Sequence, residues 1–164
     1  MLPVLAAIAA APAFGAEPRP EVSREPAAPQ AVGAVHTLRQ IPEACARIEG
    51  VFTGDDAEPY RFAVVRTGPA CQARARFVDF DRAGPSEATG WKFNDLVRVP
   101  RADCPSQQAV VRIWRRPVEQ APELDGQGRA RIYLEESLQA AAAGRTAPVP
   151  MYAARMEVEG AACR

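Results

Sequence analysis

The chain has 164 residues, 48% hydrophobic and 24% charged, with a formal net charge of zero. That length fits one domain, and the neutral sum excludes a global field steering the protein to nucleic acid or membrane. Of the 20 basic residues only Lys92 is a lysine, which reads first as the codon usage of a GC-rich genome and second as selection for arginine chemistry.

Residues 1–16, MLPVLAAIAAAPAFGA, carry no charge and end in small residues. The run is short for a membrane span and fits the apolar region and cleavage site of a signal peptide. The usual basic start is missing, and no cysteine follows to take a lipid anchor. Residues 17–35 then repeat proline at Pro18, Pro20, Pro26 and Pro29. Such a stretch buries too little apolar surface to fold alone, so a disordered Pro-rich linker is expected there.

A disulfide-stabilised β-domain is expected over 36–164. Its first strand candidate is Ala44 to Thr53, with Ala46, Ile48 and Phe52 facing in and Arg47 and Glu49 out. The loop GDDAEP leads to a strand from Tyr60 to Thr67. Cys71 to Phe80 alternates Ala73, Ala75 and Phe77 against Gln72, Arg74 and Arg76. In WKFNDLVRVP, residues 91–100, Trp91, Phe93, Val97 and Val99 share one face, and Asp95 interrupts it as a bulge or bend would. AVVRIWRRP, residues 109–117, places Val111 and Ile113 inward and Arg112, Trp114 and Arg116 outward, with Pro117 ending the ladder. RARIYLEE, residues 129–136, reads as a strand that runs into a short alanine-rich helix near 135–143, with Gly144 as its cap. The last strand lies in MYAARMEVEG.

About seven short strands separated by turn residues, with little helical periodicity, predict a single antiparallel β-sandwich or barrel. The four cysteines, Cys45, Cys71, Cys104 and Cys163, are even in number and lack metal-type clustering. Behind a secretion signal they predict two disulfides in one of three connectivities, which the sequence alone does not choose between; Cys45–Cys71 with Cys104–Cys163 is preferred because each pair ties neighbouring parts of the chain. The expected location is periplasmic or secreted, with no transmembrane segment in the mature chain.

Catalytic chemistry finds little purchase. His36 is the only histidine, and it sits at the linker boundary. No nucleophile elbow, zinc helix or phosphate loop is present. The loop carboxylates Asp55, Asp56 and Glu58, and Asp79, Asp81 and Glu87, match no EF-hand spacing and read as solvated. No metal or cofactor is expected. The remaining signal is the polar strand face, with Arg47, Arg61, Lys92, Arg98 and Arg129 joined by the binding candidates Arg112, Trp114, Arg116, Arg74, Arg76 and Arg131. Arginine forks pair with anionic groups, and a flanking tryptophan adds a stacking surface.

The expected function is a non-enzymatic binding domain for an anionic glycan, lipid headgroup or acidic protein surface, with nucleic acid disfavoured. The alternative is an inhibitor or interaction partner of an extracellular enzyme that presents the loop Gly54–Pro59 or Glu119–Gly128. A hydrolase working through loop carboxylates ranks last.

Overall fold

The computed structural model describes residues 17–118 and 149–163, with residues 126, 127, 139 and 142–144 between them. Seven strands are present among these: β1 (His36–Ile41), β2 (Ala46–Phe52), β3 (Tyr60–Arg66), β4 (Arg76–Phe77), β5 (Lys92–Arg101), β6 (Cys104–Arg116) and β7 (Met151–Glu159). They form two sheets, ordered β1-β2-β3 and β4-β7-β6-β5. The protein is mainly β, and no barrel is closed among the described residues. The sheets are not wholly antiparallel, because β4 joins β7 in parallel through Arg76 and Phe77.

The apolar alternation explains the core. Leu38, Ile41, Ile48, Phe52 and Tyr60 of the first sheet meet Val97, Val99, Ala109, Val111, Ile113 and Ala154 of the second in one buried cluster. Each of the valine, leucine, isoleucine and phenylalanine side chains contributes roughly 1.5–3 kcal/mol when fully buried. Gly50 of β2 is required by packing, since a Cβ there would overlap the Tyr60 hydroxyl. That hydroxyl instead lies 2.7 Å from His36 Nε2, and His36 Nδ1 lies 2.9 Å from the Ala34 carbonyl. His36 is thus fixed between two structural partners.

The strand boundaries depart from the sequence pattern in two places among the described residues. β1 was hidden, because HTLRQI buries only Leu38 and Ile41. The alternation over 71–80 yields only the two-residue β4, after which Asp79 caps the short helix α1 (Phe80–Ala83) by accepting from the Arg82 amide. The segment 129–136 and most of the helix expected near 135–143 lie outside the described residues. Within the latter, the Ala143 amide donates to the Gln139 carbonyl at 3.0 Å and Gly144 has φ +67°.

Cys45 pairs with Cys71 and Cys104 with Cys163. The first bond ties the start of β2 to the segment before β4. The second ties the start of β6 to the end of the described chain.

The largest correction concerns residues 17–35, expected to be disordered. They run as an extended strap parallel to β5. The amides of Glu21, Val22, Ala27 and Gln30 donate to the carbonyls of Phe93, Asn94, Arg98 and Pro100 at 2.7–3.0 Å, and the Ala102 amide returns a bond to Gln30. Beyond that the Gly33 amide reaches Phe52 of the other sheet. The strap buries little by itself, but an exposed strand edge supplies the hydrogen-bond partners it lacks. Its prolines have no amide to offer, so it covers the β5 edge without presenting a regular new one. The folded unit therefore includes the leader and does not begin at residue 36.

Candidate functional site

The β6 register puts Val111 and Ile113 in the core, each fully buried, and Arg112, Trp114 and Arg116 on the opposite face. That face is not an open arginine surface. Val110, Phe93 and Ala153 on it are buried. Trp114 is half-buried, its ring 5.2 Å from that of Phe93 at a 34° tilt. Arg112 is taken by three carboxylates, Glu17 at 2.6 Å, Glu157 at 3.1 Å and Glu159 at 3.4 Å. Its hydrogen bond to Glu17 holds that carboxyl below the usual glutamate range and raises the guanidinium in turn. Arg115 is held likewise by both oxygens of Glu21, whose carboxyl is lowered first by that bond and also by Asn94. Of the expected binding triplet, Arg112 is thus neutralised from within, by the leader and by β7, and Trp114 is packed against Phe93. Only Arg116 of the three is exposed, and no carboxylate among the described residues pairs with it.

The arginines expected to form one face also divide between two. Arg47 and Arg61 belong to β2 and β3, while Arg98 and Arg112 belong to the other sheet. Arg47 pairs with Glu49, and Arg61 lies 3.8 Å from Glu58. Arg131 lies outside the described residues.

Arg74 and Arg76 do share a place. The Arg74 and Ala75 amides both donate to the Glu43 carbonyl, at 2.7 and 2.9 Å, and the Arg76 amide donates to Pro150. These bonds seat the 74–76 backbone beside the Cys45–Cys71 bridge. Cys45 itself adopts a left-handed φ of +49° as it closes a 3-10 turn on Pro42, a conformation that non-glycine residues rarely take. Between this corner and β3 lies a recess of about 330 Å³. Ala44, Val64, Val65, Ala75 and Phe77 supply its apolar lining, and Arg66 and Arg76 supply its charge. Arg66 is positioned by the 68–71 turn, donating to the carbonyls of Gly68 at 3.0 Å and Cys71 at 2.9 Å. Neither Arg66 nor Arg76 has an ion-pair partner among the described residues.

The sequence did not single out Arg66. Its role depends on a disulfide-held turn folding back to the end of β3, which no local pattern announces. Nor did the alternation disclose what Asp95 does. A bulge between Phe93 and Asp95 turns this carboxylate to the Ile113 side of the sheet, where it is fully buried. Arg24 of the strap grips it through two bonds of 2.9 and 2.7 Å, and Arg39 of β1 stands 3.4 Å away. One carboxylate so joins leader and both sheets.

The loop carboxylates serve local structure. Asp55 accepts from the Ala57 amide and Asp79 caps α1. Among the described residues, no three metal-ligating side chains cluster and no helix is long and apolar enough to cross a membrane. Comparison with known proteins returns no match, whether to a family model, a curated protein or a solved structure.

Proposed function

We propose that this protein is a non-enzymatic binding domain of the periplasmic or secreted space, and that its site is the arginine-flanked recess between β3 and β4. The single observation that carries the reading is the placement of Arg66 and Arg76, without carboxylate partners among the described residues, around an apolar pocket of about 330 Å³. Such a site suits a partner that offers an anionic group beside an apolar one. The two disulfides support an oxidising compartment, as does the apolar run at 1–16. The shared core of the two sheets supports a sandwich description of the scaffold. The binding candidates first read from Arg112 and Trp114 give way to this corner, because the charge of Arg112 is already met by Glu17, Glu157 and Glu159 and Trp114 packs on Phe93.

Retention on immobilised heparin and on anionic vesicles, followed against salt, tests the reading. Binding that weakens with salt and is lost on replacing Arg66 and Arg76 by glutamate is the expected result. No retention of the parent protein at low ionic strength on either matrix, or retention unaffected by those changes, overturns it.

The inhibitor reading has one observation in its favour. The 54–59 loop is stiffened from inside, as Thr53 Oγ1 bonds the Glu58 carbonyl and the Asp55 amide returns to Thr53 Oγ1 at 3.0 Å. A stiff exposed loop docks with little loss of entropy. The loop Glu119–Gly128 lies outside the described residues except at 126 and 127.

A further inference from the structure

The four sheet edges are treated differently. β5 is covered by the strap, β4 has only two residues, and β1 is broken by a bulge between Thr37 and Arg39. β3 has seven residues, pairs with β2 without a register shift, and stands at the end of its sheet. Its open-edge groups can be identified. The Thr67 amide donates to Cys45, and Pro59 accepts from the Thr53 amide. Odd-numbered residues therefore turn their backbone groups to β2, and Phe62, Val64 and Arg66 turn theirs outward. No described residue takes these outward groups. Val64 is 40% exposed, and YRFAVVR carries no proline and no charge between Arg61 and Arg66 to blunt the edge.

The side chains agree with the backbone. Val64 lies opposite Ile48, and Arg66 opposite Ala46, so both are on the core side of β3, where they line the recess with Ala75, Phe77 and Arg76. A strand added to β3 would send alternate side chains into that recess. Charge selects among such strands. Arg61 and Arg66 of the strand and Arg76 across the recess stand along the edge, against Glu58 beside Arg61 and the exposed Glu43.

We infer that β3 docks an extended acidic segment of a partner protein by strand addition, its backbone pairing with Phe62 and Val64 and an acidic or apolar side chain entering the recess between Arg66 and Arg76. Main-chain bonds then give affinity, and the recess gives selectivity. The inference rests on the anion-binding reading above and names its partner class.

Amide hydrogen exchange at Phe62 and Val64 tests it, followed by NMR with three hexapeptides. One alternates glutamate and valine, one replaces glutamate by lysine, and one keeps the acidic sequence with an N-methylated backbone. Fast exchange in the free protein, slowed by the first peptide alone, is the expected result. Arg76→Glu should weaken that peptide roughly tenfold or more, as loss of a charge-assisted bond does. Val64→Pro should weaken it comparably while unfolding stays cooperative, because the amide it removes points away from β2. Slow exchange already in the free protein overturns the inference, since the edge is then occupied. Binding of heparin or vesicles without protection by the acidic peptide also overturns it while leaving the anion-binding reading intact. Absence of binding to every probe removes both.

Discussion

Arg24→Ala is the most informative single change, because it separates the strap from the buried carboxylate that anchors it. Asp95 is fully buried and Arg24 makes two bonds to it, of 2.9 and 2.7 Å. After the change Asp95 retains Arg39, whose Nε stands 3.4 Å away, longer than a good charge-assisted bond of roughly 2.7–2.9 Å. Breaking a buried pair from one side costs roughly 3–5 kcal/mol. Arg24 is itself a third exposed and Arg39 offsets part of the charge, so about 2–3 kcal/mol is expected here. In a domain of this size each kcal/mol moves Tm by roughly 2–4 °C, which gives a fall of about 5–10 °C. Calorimetry measures it, and exchange of the Ala27 and Gln30 amides reports whether the strap has lifted from β5. The penalty belongs to the stranded charge and not to the loss of polarity. Replacing Arg24 and Arg39 by methionine together with Asp95 by leucine should therefore recover most of the stability. A Tm for Arg24→Ala within about 1 °C of the parent, with the strap still protected, would refute the assignment of Asp95 as its anchor.

Acid should loosen the same strap from its other end. The folded-state carboxyls of Glu17 and Glu21 are lowered by Arg112 and Arg115, so their contribution is complete above the unfolded glutamate range and is lost as pH falls through the folded values. Exchange at the Glu21 and Val22 amides should rise as pH is lowered through that window, after correction for intrinsic rates, and Glu21→Gln should flatten part of the dependence. Gly50→Ala should destabilise by roughly 1–3 kcal/mol, since its methyl group displaces the Tyr60 hydroxyl from His36; thermal unfolding measures this, and an unchanged Tm would contradict the packing. Removing Cys104 and Cys163 together opens the longer loop, with a sequence separation of 59 against 26 for Cys45 and Cys71. Chain entropy then predicts losses of about 4 and 3.5 kcal/mol, which denaturant unfolding of the paired serine variants compares.

Local pattern carried much of the fold. Alternation in ARIEGVF, KFNDLVRVP and AVVRIW placed Ile48, Phe52, Val97, Val99, Val111 and Ile113 in the core, because a half-buried strand must repeat with period two. Asp95 disturbed that period, and the structure has a bulge beside it. Even cysteine number predicted two disulfides, and the structure chose the pairing among three, Cys45–Cys71 with Cys104–Cys163. The misreading of the leader has an equally physical origin. Composition reports whether a segment can fold by itself, and 17–35 cannot. It does not report whether an edge elsewhere in the chain will hold it, as β5 does through the amides of Glu21, Val22, Ala27 and Gln30.

The same distinction governs the site. Period two tells in from out along one strand, so the sequence by itself determined that Arg112, Trp114 and Arg116 share a face. It cannot say which sheet a strand joins or which distant charges lie over it. Only the tertiary structure set Glu17, Glu157 and Glu159 around Arg112 and closed that face. Only the Cys45–Cys71 turn and the parallel β4–β7 contact brought Arg66 and Arg76 to one recess beside the edge of β3, which no other described residue covers. Hydrophobic periodicity is a property of neighbours in sequence, whereas charge compensation is decided by neighbours in space, 95 residues apart in the case of Arg112 and Glu17.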